Sequence, residues 1–272
     1  MLKRITDVSE YMDFINEISG DPDFSDPMLQ TREQLRCNLL EAPNRPENQV
    51  WGVFEKEEIT GLFAFLVLEE EAYLEMLAGL SRVPKAYGEM LSFLKGKYGG
   101  CLIDFVYNPG NYPLHKLLQD ENAEFETEQQ KMVLKKIIPY QSKRQIALYK
   151  PEYREQYFSI HQDEGYWTAE KVIDAPEVFR VFLAIAGGEV VGYLDVTYCH
   201  DENEPYDLFV KEEYRRMGYG KAMLSKAIEL NGSRGMTVLT DIDNAAAIAL
   251  YESLGFVKMA GENNVTAHVR VR

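Results

Sequence analysis

Tyr214-Arg215-Arg216-Met217-Gly218-Tyr219-Gly220-Lys221 stands between a short apolar run, Leu208-Phe209-Val210, and a segment whose apolar residues Met223, Leu224, Ala227 and Ile228 recur at helical spacing. Glycines between a strand and a helix let successive backbone N–H groups converge on an anion at the helix N-terminus. The stretch therefore reads as a phosphate cradle. Lys221 is not followed by Ser or Thr and the four-residue spacer is missing, which excludes a nucleotide P-loop, and the glycine spacing is not that of a dinucleotide fold. What remains is Arg-x-x-Gly-x-Gly at a strand-to-helix turn.

Working outward, Asn231-Gly232 closes the helix, 236–240 is a strand, and Asn244 caps an alanine-rich helix over 245–254 that Gly255 stops. Upstream, 181–186 and 190–197 are β-branched strands joined by Gly187-Gly188-Glu189, with a third strand at 207–210 and helical stretches at 151–160 and 168–173. The segments 256–259 and 265–271 are expected to finish the sheet as an antiparallel pair. This element order, the Arg215 to Gly220 turn, Asn244 and Tyr251-Glu252-Ser253-Leu254-Gly255-Phe256 together resemble the GCN5-related N-acetyltransferase (GNAT) superfamily.

The resemblance implies an acetyl-CoA site. Phe209 and Val210 would offer backbone contacts to the pantetheine arm; Arg215, Arg216, Met217, Gly218, Tyr219, Gly220 and Lys221 would hold the pyrophosphate; Asn244 would touch the arm. It also implies Tyr251 as the donor to the leaving thiolate and Glu204 as the general base, with Asp195 and Asp207 as rivals for that role. A phenol near pKa 10 is a weaker acid than a thiol near 8.5, so full proton donation requires that the pKa of Tyr251 be lowered, as a helix end and the pocket could do. An alkyl amine is neutral in only about one molecule in 2,500 at pH 7, so the base is needed.

Sliding the first half along the second by 133 positions superposes strands at 50–54, 59–68 and 73–77, a helix at 87–97, a strand at 102–106, and Asn111 through Leu118 on Asn244 through Tyr251. The halves, 1–138 and 139–272 with a linker near 138–144, read as two α+β GNAT-like domains, each a mixed, mostly antiparallel sheet flanked by helices. At that offset Pro84 falls on Met217, Lys85 on Gly218, Tyr87 on Gly220 and Leu118 on Tyr251. The first copy is thus expected to be degenerate and to lack a cofactor site.

Composition bounds the rest. The 272 residues are 46% hydrophobic and 27% charged, the balance of a globular protein. A formal charge of -15 argues against nucleic acid as a partner and, with 24 acids against 14 bases in residues 1–138, favours a cationic acceptor. Three scattered cysteines signal no disulfide framework, the stretch 199–204 places its Cys, His and carboxylates on alternating faces and so argues against a metal, and His115, His161 and His268 read as isolated surface or packing residues. No membrane span or signal peptide is evident, which points to the cytoplasm. The expected activity is direct transfer of acetyl from acetyl-CoA to a primary amine of a small basic molecule. The alternatives are a protein or peptide amine as acceptor, and a non-catalytic acyl-CoA-binding module.

Overall fold

The computed structural model describes residues 1–163 and 167–271. In chain order the strands are β1 (Leu2–Arg4), β2 (Asn48–Glu55), β3 (Glu58–Leu68), β4 (Tyr73–Leu80), β5 (Leu102–Tyr107), β6 (Glu124–Phe125), β7 (Gln129–Leu134), β8 (Gln145–Leu148), β9 (Phe179–Ala186), β10 (Glu189–Thr197), β11 (Glu202–Asn203), β12 (Pro205–Val210), β13 (Gly235–Asp241), β14 (Phe256–Lys258) and β15 (Val265–Arg270). The helices are α1 (Met12–Ser19), α2 (Arg32–Leu35), α3 (Pro84–Lys97), α4 (Tyr112–Asp120), α5 (Arg154–Phe158), α6 (Ala169–Asp174), α7 (Tyr219–Asn231) and α8 (Ala245–Glu252). None is long and apolar enough to cross a membrane. Local chemistry sets many boundaries. Asn111 and Asn244 cap α4 and α8 by accepting from Leu114 and Ala247, Gly187 and Gly188 turn the β9–β10 hairpin at positive φ, and Gly232 ends α7 at φ +68°.

Residues 1–130 with 260–272 form one compact unit, and 131–259 the other. The first holds a seven-stranded sheet ordered β1-β2-β3-β4-β5-β15-β6, antiparallel except for β4 beside β5. Its core lies on both faces: α3 and α4 cover Phe65, Met76 and Ile103, while α1 and its neighbours cover Leu62, Ala78 and Leu80. The second holds two four-stranded sheets, β12-β10-β9-β8 and β11-β13-β7-β14. One face packs Leu194, Val196 and Val238 under α7 and α8, and the other packs Val181, Leu183 and Tyr193 under α5 and α6.

The units differ from the sequence halves because the last strand of each repeat is exchanged. β15, the final strand of the chain, pairs with β5 and β6 in the first unit, while β7 pairs with β14 in the second (Phe256↔Leu134, Lys258↔Met132). The expected antiparallel pair 256–259 with 265–271 therefore does not form. Both are short strands of similar composition, and hydrophobic pattern alone does not choose between partners. The repeat itself holds in α4 and α8, which start at the same offset of 133. In β4 and β12 it shifts by four. Each has an irregularity beside the same pair of strands, and this equates Ala78 with Asp207 and Glu75 with Glu204.

Where the chain enters the second unit, Lys135 and Lys136 donate to the Gly255 carbonyl and Ile138 to that of Leu254. Gly255 sits at φ +102°, and a Cβ there would lie 1.6 Å from the Lys136 carbonyl oxygen. Gly188, at φ +90°, has nothing within 4 Å of that position. In urea denaturation Gly188→Ala should therefore cost about 1–3 kcal/mol from backbone conformation alone. Gly255→Ala should cost more, because backbone must also move.

Candidate active site

The second unit's two sheets part at one point. β11 runs parallel to β13 (Glu202↔Gly235, Asn203↔Met236), and there the pairing stops. The next residues explain why. Glu204 turns its carboxylate across the gap to accept the Leu239 N–H, and Pro205, which opens β12, has no N–H to give to a ladder. β12 then pairs only with β10 (Asp195↔Asp207, Tyr193↔Phe209), leaving its other edge open toward β13.

Which groups face that opening follows from the alternation of an antiparallel ladder. Lys211 donates to the Val191 carbonyl and the Phe209 carbonyl lies against Gly192, so the peptide groups of Phe209 point into the β10 pairing. The outward groups belong to Leu208 and Val210. Of the two residues expected to contact the cofactor arm, Val210 turns its N–H to the opening while Arg215 holds its carbonyl, and Phe209 turns its peptide groups to β10 and stacks its ring on Tyr193 with centroids 5.7 Å apart.

At the end of β12 the Arg215 Nε donates to the Val210 carbonyl (2.9 Å), and Arg216 (φ +59°) and Gly218 (φ +85°) curl the chain into α7. No side chain caps that helix, and the amides from Arg216 to Lys221 meet no acceptor among the described residues. Such a run of free N–H groups at a helix N-terminus can bind an anion. The nearest neighbours of a Cβ on Gly220 would be Leu250, Leu208 and Val210 at 3.7–3.9 Å, so this turn opens onto the gap between β12 and α8. Asn244 spends its side-chain oxygen on capping α8, which leaves its amide free to donate outward.

Tyr251 on α8 is only 6% exposed, yet its hydroxyl has no hydrogen-bond partner among the described residues. Burial, and then the charges of Glu204 and Asp207, push this phenol up to about 12, the opposite of the lowering that proton donation requires. Burial also lifts Glu204, to about 7, against the opposing Leu239 N–H and the Lys131 charge. A carboxylate at that value is a competent base near neutrality.

The rival carboxylates belong to a cluster that sequence spacing did not show. His161, far from isolated, donates toward Asp163 (2.8 Å) and Asp195 (3.1 Å), and its ring stacks on Tyr193. Burial opposes its charge, but the bonds to Asp195 and Asp163 and the nearby Asp207 outweigh it and raise its pKa. Asp195 is fully buried and also accepts from the Tyr157 hydroxyl; Asp207 accepts from that of Tyr193 (2.6 Å). Asp195 thus anchors the loop after α5 and is closed to a substrate. His161, Asp195 and Asp207 offer ligand atoms within 4.8 Å of one another, a closeness that these hydrogen bonds account for.

In the first unit the same region is filled. Pairing of β4 with β5 continues to Met76↔Phe105, two positions beyond where the second unit opens. Gly79 and Ser81 match Leu208 and Val210, but their outward groups are taken. Gly79 donates to the buried Asp26 (2.7 Å), and the Tyr87 hydroxyl is shared between the carbonyls of Gly79 (3.2 Å) and Ser81 (3.0 Å) while accepting from Asn111, the counterpart of Asn244. The glycine turn is shortened as well as altered: only 81–83 join β4 to α3, where 211–218 join β12 to α7. Arg82 does not take the place of Arg215, because Glu17 and Asp21 hold it.

Residues 145–256 match the acetyltransferase (GNAT) family. The ribosomal protein bS18 alanine N-acetyltransferase of Escherichia coli (strain K12) is 36% identical over 83 residues, which are 29% of this chain and 56% of that enzyme, so the chain spans just over half the length of this curated relative. Among solved structures, a GCN5-related N-acetyltransferase from Sphaerobacter thermophilus superposes with a TM-score of 0.68 at 13% identity, covering 100% of this chain and 96% of the other. A tandem GNAT protein from the clavulanic acid biosynthesis pathway gives 0.59 at 12% identity, covering 100% and 99%. Residues 145–256 of the second unit accordingly carry the GNAT family match, in a chain that has the fold of tandem GNAT proteins.

Proposed function

We propose that the second unit transfers an acetyl group from acetyl-CoA to a primary amine, favouring a small cationic acceptor. The observation that carries this reading is the open edge of β12, with free amides at one end and the unengaged Tyr251 phenol facing the same region. Acetyl-CoA supplies the activated thioester. Both outward groups of Leu208 and the outward N–H of Val210, whose carbonyl Arg215 holds, pair with its extended arm, Asn244 donates to the arm, and the amides of Arg216 to Lys221 hold its pyrophosphate, helped by the charges of Arg215, Arg216 and Lys221.

Glu204 takes a proton from the ammonium, directly or through one water, and frees the nitrogen to attack. An outward amide of β12 holds the carbonyl oxygen as negative charge develops there. Tyr251 then serves as a hydrogen-bond donor to the departing sulfur. Burial and the charges of Glu204 and Asp207 hold this phenol up, to about 12, so Tyr251 keeps its proton and stabilises the sulfur by hydrogen bonding; the sulfur leaves as thiolate, and the second proton, shed by the nitrogen as the amide forms, passes to solvent. Asp207, about a third exposed beside this route, supplies negative charge that suits a cationic acceptor.

A second reading, acetylation of a protein N-terminus, is favoured by the similarity to the bS18 alanine N-acetyltransferase. Release of free thiol from acetyl-CoA over a panel of polyamines, aminated small molecules and alanine-initiated peptides separates the two. No release with any acceptor would leave the non-catalytic module as the better reading.

Because Glu204 acts deprotonated, the rate should rise about tenfold per pH unit below its pKa of about 7 and level off above it. Glu204→Gln should remove that limb. Tyr251→Phe keeps the ring packed on Phe256 and should lower turnover about 10²–10³-fold, with CoA affinity little changed. Gly220→Ala, which meets nothing closer than 3.7 Å, should bind CoA normally, whereas Gly220→Glu should abolish binding by placing an anion at the cradle. Calorimetry on the folded variants checks both.

A further inference from the structure

The segment joining β7 to β8 does more than connect. It first bonds to Leu254 and Gly255 just beyond Tyr251, then crosses the start of α7. There the Tyr140 carbonyl accepts from Ser225 (3.4 Å), the Lys221 ammonium lies 4.8 Å from the centre of the Tyr140 ring, and the Tyr140 hydroxyl lies 3.0 Å from where Gly218 would carry a Cβ. Arg144 completes the crossing. Its Nε donates to the Met217 carbonyl (2.9 Å) and its guanidinium stacks over Tyr219 at 4.7 Å.

The Arg144 bond has a directional consequence. In a planar trans peptide the C=O and the following N–H point opposite ways. Holding the Met217 oxygen toward the strap turns the Gly218 N–H away from it. Gly218, at φ +85°, has the conformational freedom to let this peptide flip, so the orientation of the first cradle amide needs an external hold. The sequence between the two repeats supplies one.

We propose that Arg144 is a positioning residue for the pyrophosphate cradle, and that the strap 139–144 is the outer brace of the cofactor site. The inference rests on the acyl-CoA reading above. It assigns to the linker a role in recognising the diphosphate of a CoA thioester, and it makes the cradle a joint product of the glycine turn and a segment about 75 residues earlier in the chain.

The test compares two donors and two substitutions in the full chain: calorimetric affinity for CoA, and thiol release from S-acetylpantetheine, which has the arm and thioester but no phosphate. Arg144→Ala should weaken CoA binding about tenfold or more, the scale of one lost hydrogen bond to a charged partner. It should leave release from S-acetylpantetheine within twofold of wild type and the unliganded melting temperature nearly unchanged. Arg144→Lys, which keeps the charge without the planar Nε donor, should recover only part of the affinity, and it carries the same comparison if the alanine variant does not fold. Unchanged CoA affinity, or a parallel loss with both donors, would overturn the assignment. Wild-type protein that binds no CoA would instead remove the acyl-CoA reading, and this inference with it.

Discussion

The site depends on a sheet that is prevented from closing. After Asn203 the chain could have continued pairing with β13, and two residues stop it: Glu204 satisfies the Leu239 amide with a side chain, and Pro205 has no amide to offer. An open strand edge normally invites unwanted pairing. Here it leaves both outward groups of Leu208 and the outward N–H of Val210 without a strand partner, Arg215 holding only the Val210 carbonyl, and the free amides of the α7 turn lie at its end. The residue that opens the sheet is also the one whose carboxyl is raised to about 7 by the burial this arrangement imposes. Architecture and proton chemistry are therefore coupled through Glu204.

In the first unit the same edge is filled from within the chain. Unpaired buried peptide groups cost about 1–3 kcal/mol each, so they must find partners. Asp26 takes the Gly79 amide, and the Tyr87 hydroxyl takes the carbonyls of Gly79 and Ser81. Asn111, which caps its helix just as Asn244 does, turns its remaining donor onto Tyr87. What space remains beside Tyr87, Leu114 and Leu118 is a cavity of about 10 Å³, room for one water at most. Glu75 keeps the place of Glu204 and is likewise raised by burial, but the edge it would serve is occupied.

Much of this was legible in the sequence. The glycine turn, the cap at Asn244 and the β9–β10 hairpin are local signals with local causes, and the 133-residue self-similarity exposed the tandem repeat. The strand exchange was not legible, because β7, β14 and β15 are short and their partners are set by tertiary packing. Neither was the four-residue shift in β4, since comparison at a single offset cannot see a shortened loop; it wrongly aligned Arg82 with Arg215. The cluster around His161 was hidden because, besides the neighbouring Asp163, its buried partner Asp195 is 34 residues away, and Arg144 looked like linker because its partner carbonyl is 73 residues away. The direction of the Tyr251 shift depends on burial and on two carboxylates from another element, which no motif encodes.

The contrast between the two edges is the central claim, and the stoichiometry of CoA binding to the intact chain tests it most directly. Calorimetric titration should give one site per chain, lost in Gly220→Glu and retained in a variant altered only at the first unit's plug, such as Tyr87→Phe. Two equivalent sites in the wild-type chain, or a single site abolished by Tyr87→Phe and untouched by Gly220→Glu, would contradict it.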